Sequence, residues 1–282
     1  MADGQLSPTG RFEKILFATD GSEFSAGAER VAIGMCAKSG AHLQVMTAVL
    51  AGSDPGGMGE SELVRSEATA TARLDDVEGR LKAAGVASTK VIRFGDDPYK
   101  EIIGEAEDSN ADVIVLGRRG KRGLARLMLG DATVKVIGEA RCSVMVVPKA
   151  AGMWTKRLLL ATDGSRSSDA AAQAAACIAH CCGTPITVMS VRAPHHSQAR
   201  QDEAERIVDR VLRFYQAEGL AADGVVVAGV PNKVINATAI ERGCDLIVMG
   251  SHGRTGLGRL ILGSNSERVI GEASCPVLVV KG

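Results

Sequence analysis

The sequence predicts an α/β protein built from two tandem doubly wound domains, each a five-stranded parallel sheet flanked by helices. Three observations predict it. The chain repeats itself: Ile15-Leu16-Phe17-Ala18-Thr19-Asp20-Gly21-Ser22 returns as Leu158-Leu159-Leu160-Ala161-Thr162-Asp163-Gly164-Ser165 at an offset of 143, and Val136-Ile137-Gly138-Glu139-Ala140 returns as Val269-Ile270-Gly271-Glu272-Ala273 at an offset of 133. A block that recurs in this way is one structural unit used twice. Within each copy, short β-branched runs alternate with longer stretches of helical period, the pattern of βαβ units. Finally, 282 residues suit two units of about 140, each large enough to bury its own core.

In chain order, the first copy supplies strands at 14–18, 43–49, 90–94, 113–116 and 144–147, with helices between them. A glycine-rich insertion at 51–60 accounts for the difference between the two offsets and has the composition of a flexible loop. Residues 148–153 form the candidate linker, giving domains at 11–149 and 154–282. The second copy supplies strands at 157–161, 186–191, 225–228, 246–249 and 277–280. Ala170, Ala174, Cys177, Ile178 and Cys181 recur at helical spacing and predict a buried face ended by Gly183; Ala204, Ile207, Val208, Val211, Leu212 and Tyr215 do the same before Gly219. Right-handed crossovers wound in two directions then place any ligand beyond the carboxyl ends of the strands, at the switch point. That rule directs attention to the residues after Ala161 and Met249.

Composition excludes several classes of function. The 33 basic residues balance 33 acidic ones, so no global field draws the chain to nucleic acid or to an anionic bilayer. Apolar runs fall far below the ~20 residues of a membrane helix, and residues 1–11 are polar without a signal core, so a cytoplasmic protein is expected. Seven cysteines, an odd number, are read as reduced thiols, most of them buried as small apolar residues. The cluster Cys177, His180, Cys181, Cys182 does not offer four converging ligands, since the histidine lies off the Cys177–Cys181 face. His195 and His196 are read as solvated.

The segment with chemistry follows the fourth strand of the second copy: Gly250-Ser251-His252-Gly253, nine residues, then Gly263-Ser264-Asn265-Ser266 and a helical run. Glycines let a ligand approach the backbone, free N–H groups at a helix start attract phosphate, and the hydroxyls of Ser264 and Ser266 add donors. No Gly-Lys-Ser/Thr follows, so this is not a Walker loop. Two glycines could instead merely shape a turn. Asp163, at the end of a strand at the switch point, can accept a ribose hydroxyl or orient magnesium, or can cap the following helix. Arg254 can reach a phosphate or sit in solvent.

The combined spacing Gly-x2-Gly-x9-Gly-Ser resembles the nucleotide motif of the universal stress protein family. Ala-Thr-Asp-Gly-Ser, Gly229-Val230-Pro231, Val248-Met249-Gly250-Ser251-His252-Gly253 and Cys275-Pro276-Val277-Leu278-Val279-Val280 resemble it as well, so the likeness covers nearly the whole chain, twice. The resemblance implies a Rossmann-like fold of the adenine nucleotide α-hydrolase type, and ATP as ligand, with ADP or AMP as alternatives and magnesium as companion. It implies that Asp163 lies beside the adenosine, that the Val191 backbone meets the adenine, and that Met249 precedes the first motif glycine. Gly250, Gly253, Gly263, Ser264 and Ser266 take the ribose and phosphate contacts. It further implies that strands 144–147 and 277–280 pair across the two halves, so that one chain imitates a family dimer, with further homodimerisation open.

The first copy departs from the motif: Gly117-Arg118-Arg119-Gly120 leads to Gly130, and then to Asp131 where the family has serine or threonine. A carboxylate there removes a donor and repels polyphosphate, by several kcal/mol at ~4 Å and an effective dielectric near 20. Arg118, Arg119, Lys121, Arg122 and Arg126 crowd the same loop, mostly as solvated charges with one or two expected to pair with Asp131. No triad, paired carboxylates or base for activating water is recognisable, so fast ATP hydrolysis is not expected. A nucleotide-responsive regulator acting on an unidentified protein partner is the leading expectation; a slow ATPase or self-phosphorylating enzyme, and a scaffold without nucleotide, are the alternatives.

Overall fold

Ten strands form a single sheet in the order β3-β2-β1-β4-β5-β10-β9-β6-β7-β8. The computed structural model describes residues 12–50, 60–118, 129–194, 197–253 and 262–282. The first half contributes β1 (Lys14–Ala18), α1 (Ala26–Ser39), β2 (His42–Leu50), α2 (Glu60–Ala83), β3 (Ser88–Gly95), α3 (Pro98–Asp108), β4 (Val113–Gly117), α4 (Asp131–Glu139) and β5 (Ser143–Val147). The second half repeats the plan with β6 (Leu158–Ala161), α5 (Arg166–Cys182), β7 (Ile186–Arg192), α6 (Gln198–Ala217), β8 (Ala222–Ala228), α7 (Pro231–Glu241), β9 (Leu246–Gly250), α8 (Ser264–Glu272) and β10 (Val277–Val280). All ten predicted strands are present, with ends shifted by three residues at most. The insertion at 51–60 falls on residues outside the described ones, except for Glu60, which opens α2.

Within each half the pairing is parallel and the order is doubly wound, with the switch point between β1 and β4 and again between β6 and β9. Strands in such a sheet are covered on both faces, which is why β4, β5 and β9 have no exposed residue and are apolar but for Ser143. One core layer lies under α1, α2, α5 and α6, the other under α3, α4, α7 and α8. The halves join where β10 pairs antiparallel with β5, Val277 opposite Val146 and Val279 opposite Val144. A basic residue crosses that junction in each direction: the Arg118 guanidinium donates to the Ala273 carbonyl at the end of α8 (2.8 Å), and the Lys281 amine to Ile137 and Gly138 (3.1 Å) at the end of α4. Cations at helix C-termini meet the negative end of the dipole. Burial nonetheless pulls the Lys281 amine down to about 8. The linker is packed against α1, with Arg30 donating to Lys149 and Ala151 carbonyls.

Helix α6 buries the predicted face, and Tyr215 at its end donates to the Ala172 carbonyl (2.9 Å). The α5 face differs from expectation. Ala171, Ala174, Ala175, Ile178 and Ala179 are buried, whereas Cys177 is half-buried and Cys181 is exposed. Alanine fills most positions from 170 to 176, so small apolar residues lie all round the helix and the period alone fits two faces. Cys36, Cys244 and Cys275 are buried, with thiols pushed up to about 11, about 11 and about 12 by desolvation.

Candidate functional site

At the crest of the second half, β6 ends at Ala161, in register with Met189 on one side and Met249 on the other. The chain then turns through Thr162, Asp163 and Gly164, whose φ of 74° is the left-handed conformation that glycine adopts at least cost. The Asp163 carboxylate accepts the Ser165 N–H (3.0 Å), a local turn that holds the carboxylate beside the sheet. Asp163 is not the cap of α5: that place belongs to Ser165, whose hydroxyl accepts the Ser168 N–H (3.3 Å). The alternative reading of Asp163 as an N-cap therefore falls away.

The glycines after β9 are fitted to this turn. A Cβ on Gly250 would lie 2.7–2.9 Å from Ser167 atoms, backbone included, and one on Gly253 would lie 2.9 Å from Asp163 Oδ2. Gly253 and Asp163 thus come together across 90 residues of sequence. The loop between them is anchored by its backbone, because the Ser167 and Ser165 hydroxyls both donate to the His252 carbonyl. These two serines were missed as site residues, although the run Ser165-Arg166-Ser167-Ser168 at a helix start was there to be read. Together, Ser165, Arg166, Ser167, Ser251, His252, Gly253 and Gly282 line an open cleft of about 450 Å³.

On the other side of the crest, β7 runs past the last β6 partner, and Val191 pairs with Val227 of β8. Val191, Met249 and Leu262 contribute to the same apolar layer. Helix α8 starts at Ser264 after Gly263, with no side chain capping it, and its first internal bond runs from Glu267 N–H to Gly263 (3.0 Å). The N–H groups of Ser264, Asn265 and Ser266 precede that bond, which is where a helix has donors to offer. Ser264 is exposed and Ser266 buried. Gly263 has ordinary backbone angles, φ −60° and ψ 135°, and among the described residues a Cβ there would meet nothing closer than Ser266 Oγ at 3.7 Å. Among the described residues nothing requires a glycine here. Arg254 lies outside the described residues.

The equivalent crest of the first half differs in its side chains. Asp20 accepts from Ser22 N–H (2.9 Å), Ser22 hydroxyl (2.6 Å) and Ser25 hydroxyl (3.0 Å). Arg73 of α2 lies against Gly21, so closely that a Cβ there would be 2.1 Å from its Nε. Asp131 takes the first position of α4, where the helix dipole favours a carboxylate, and pairs with Lys135 (3.0 Å) one turn on. Arg118 reaches across to α8, and the other loop cations expected to pair with Asp131, Arg119, Lys121, Arg122 and Arg126, lie outside the described residues.

A family model described as the universal stress protein family matches residues 11–148 and again 155–281. The chain belongs to the universal stress protein family. Among solved structures, a universal stress protein from Archaeoglobus fulgidus superposes over 98% of both chains with a TM-score of 0.79 at 24% identity, a likeness of fold. Among curated universal stress proteins, Slr1230 of Synechocystis is 26% identical and is aligned over 95% of this chain and 100% of its own length. MJ0531 of Methanocaldococcus jannaschii is 41% identical over 85 residues, 30% of this chain and 50% of that protein. Against this relative and MJ0577 of the same organism, the chain spans about half of their length. Among the described residues no helix is long and apolar enough to cross a membrane, and no three His, Cys, Asp or Glu side chains converge as a metal site.

Proposed function

We propose that the second half binds ATP at the crest between β6 and β9 and that the protein is a nucleotide-responsive regulator in stress response. The observation that carries this reading is Gly263: an unstrained glycine that no described residue crowds, directly before a helix start without a side-chain cap, where a polyanion can approach the N–H groups of Ser264 to Ser266. Asp163 takes the ribose, the Val191 backbone the adenine, and Met249 the floor beneath them. Gly250, Gly253, Gly263, Ser264 and Ser266 take the ribose and phosphates, with Arg254 as a further phosphate contact. Should magnesium accompany the phosphates, Asp163 is the carboxylate that would orient it, in place of accepting the ribose hydroxyl. The domains are residues 11–149, with the altered motif, and 154–282, with the intact one.

A ligand that binds the folded state adds RT ln(1 + [L]/Kd) to its stability, so nucleotide occupancy can tune a binding surface without chemistry. The protein then works in the cytoplasm, passing the nucleotide state to a protein partner, as one pseudo-dimeric chain or a homodimer of such chains. Equilibrium titration with ATP tests the reading: one saturable site per chain is expected, and Ser264→Asp, which sets a carboxylate at the helix start as Asp131 does in the first half, abolishes it. Unchanged binding by the Ser264→Asp protein contradicts the assignment.

A further inference from the structure

Two side-chain contacts cross between the halves, and the duplication explains neither. The Arg118 guanidinium donates to the Ala273 carbonyl (2.8 Å), immediately after α8, and the Lys281 amine donates to the Ile137 and Gly138 carbonyls in the last turn of α4. At the repeat offset of 133, Arg118 corresponds to Ser251, whose hydroxyl stays local with His252 Nδ1 (3.0 Å), and Lys281 corresponds to Pro148, which has no amine. Neither contact is thus inherited from the repeated fold.

Backbone bonds extend both contacts to the crests. The Gly130 N–H, directly before α4, donates to the Arg118 carbonyl (3.1 Å), so the residue that holds the end of α8 also holds the start of α4. The Ser251 N–H, in the loop after β9, donates to the Val280 carbonyl (3.0 Å), next to the lysine that holds the end of α4. The circuit closes on the second motif: from Ser264 along α8 to Ala273, across to Arg118 and Gly130, along α4 to Gly138, and back through Lys281 and Val280 to Ser251. Helices α4 and α8 have nine residues each, fewer than the roughly 12–15 that hold in isolation, so their order depends on what grips their faces and ends. An anion at the start of α8 and a cation at its end act on the same dipole in the same sense.

We propose that α8 and α4 couple the two crests, so that nucleotide held at the start of α8 orders α4 in the first half, with Arg118 and Lys281 as the positioning residues that transmit the effect. The inference rests on the nucleotide reading and adds its output: the half with the altered motif is where occupancy of the other half is felt. A phosphate at the N–H groups of Ser264 to Ser266 opposes fraying of α8 from its start. The Ala273 carbonyl is then held more firmly as an acceptor, and Arg118 and Gly130 with it. Order that one ligand has imposed need not be imposed again by the next, so a protein partner seated on the first half binds the ATP form more tightly, and by linkage tightens ATP by the same factor.

Amide hydrogen exchange of the whole chain, with and without ATP far above its measured Kd, tests this. ATP slows exchange across Asp131–Glu139 about fivefold or more in the wild type. Helix α2, on the other face of the same half, is the internal control, because general stabilisation slows α2 and α4 alike. The extra protection of α4 is lost in R118M and in K281M, each of which breaks the circuit at one point, so either variant decides. It is kept in Y215F, whose change lies in the other core layer. A wild type that binds no ATP overturns the nucleotide reading and this inference with it. ATP binding that leaves α4 no more protected than α2, or protection of α4 that persists in R118M or K281M, overturns the coupling alone.

Discussion

Replacing Gly253 by alanine separates the nucleotide site from the stability of the fold. The new Cβ lies 2.9 Å from Asp163 Oδ2, where ordinary contact begins at 3.4 Å, so the carboxylate must move by about half an ångström. The atom displaced is the end of a side chain rather than backbone, and the main loss is the bond from Ser165 N–H, about 1 kcal/mol. The melting temperature falls by roughly 2–4 °C. Binding suffers more, because a hydrogen bond to a charged group is worth about 1.5–3 kcal/mol, or about ten- to a hundredfold in Kd. Gly250→Ala is the contrast: its Cβ strikes Ser167 backbone at 2.7 Å, and overpacking of that kind costs about 1–3 kcal/mol of stability. Calorimetric titration with ATP and thermal unfolding of the Gly253→Ala protein check this. Wild-type affinity in a folded Gly253→Ala protein refutes the role given to Asp163 and to the close approach of the loop.

Two further outcomes concern stability. Lys281 titrates near 8 in the folded protein and near 10.5 when unfolded, so above pH 8 the folded state loses this proton first, and the stability contributed by the group rises between about pH 8 and 10.5. Its penalty at neutral pH is at most about 3 kcal/mol, and the unfolding free energy of wild type relative to Lys281→Met should increase between pH 7.5 and 9.5; a flat difference contradicts the burial argument. Tyr215→Phe removes a fully buried hydroxyl from the Ala172 carbonyl and should cost about 1 kcal/mol in denaturant unfolding with an unchanged slope.

The architecture was legible because β-branched runs alternated with helical periods in both copies, and because the echo of 15–22 in 158–165 fixed the first strand of each. Strand 277–280, a bare run of Val and Leu after a proline, was read to the residue. The α5 face was not, because alanine and cysteine are both small and apolar and burial had to be decided by packing against the neighbouring helices. The crossing of Arg118 to Ala273 was invisible as well, since its partner is a carbonyl in the other half and carbonyls leave no mark in sequence. Around the site, the meeting of Asp163 with Gly253 follows from the switch-point rule, whereas the serines that hold the His252 carbonyl and the arginine lying over Gly21 depend on side-chain directions that spacing alone does not set.

The central claim is that a nucleotide occupies the second half and not the first. Native mass spectrometry of the whole chain, purified without added nucleotide and then mixed with ATP, measures this directly. The account predicts an added mass of one adenine nucleotide per chain, absent from the Ser264→Asp protein. No bound nucleotide at any ATP concentration, or two per chain, contradicts it.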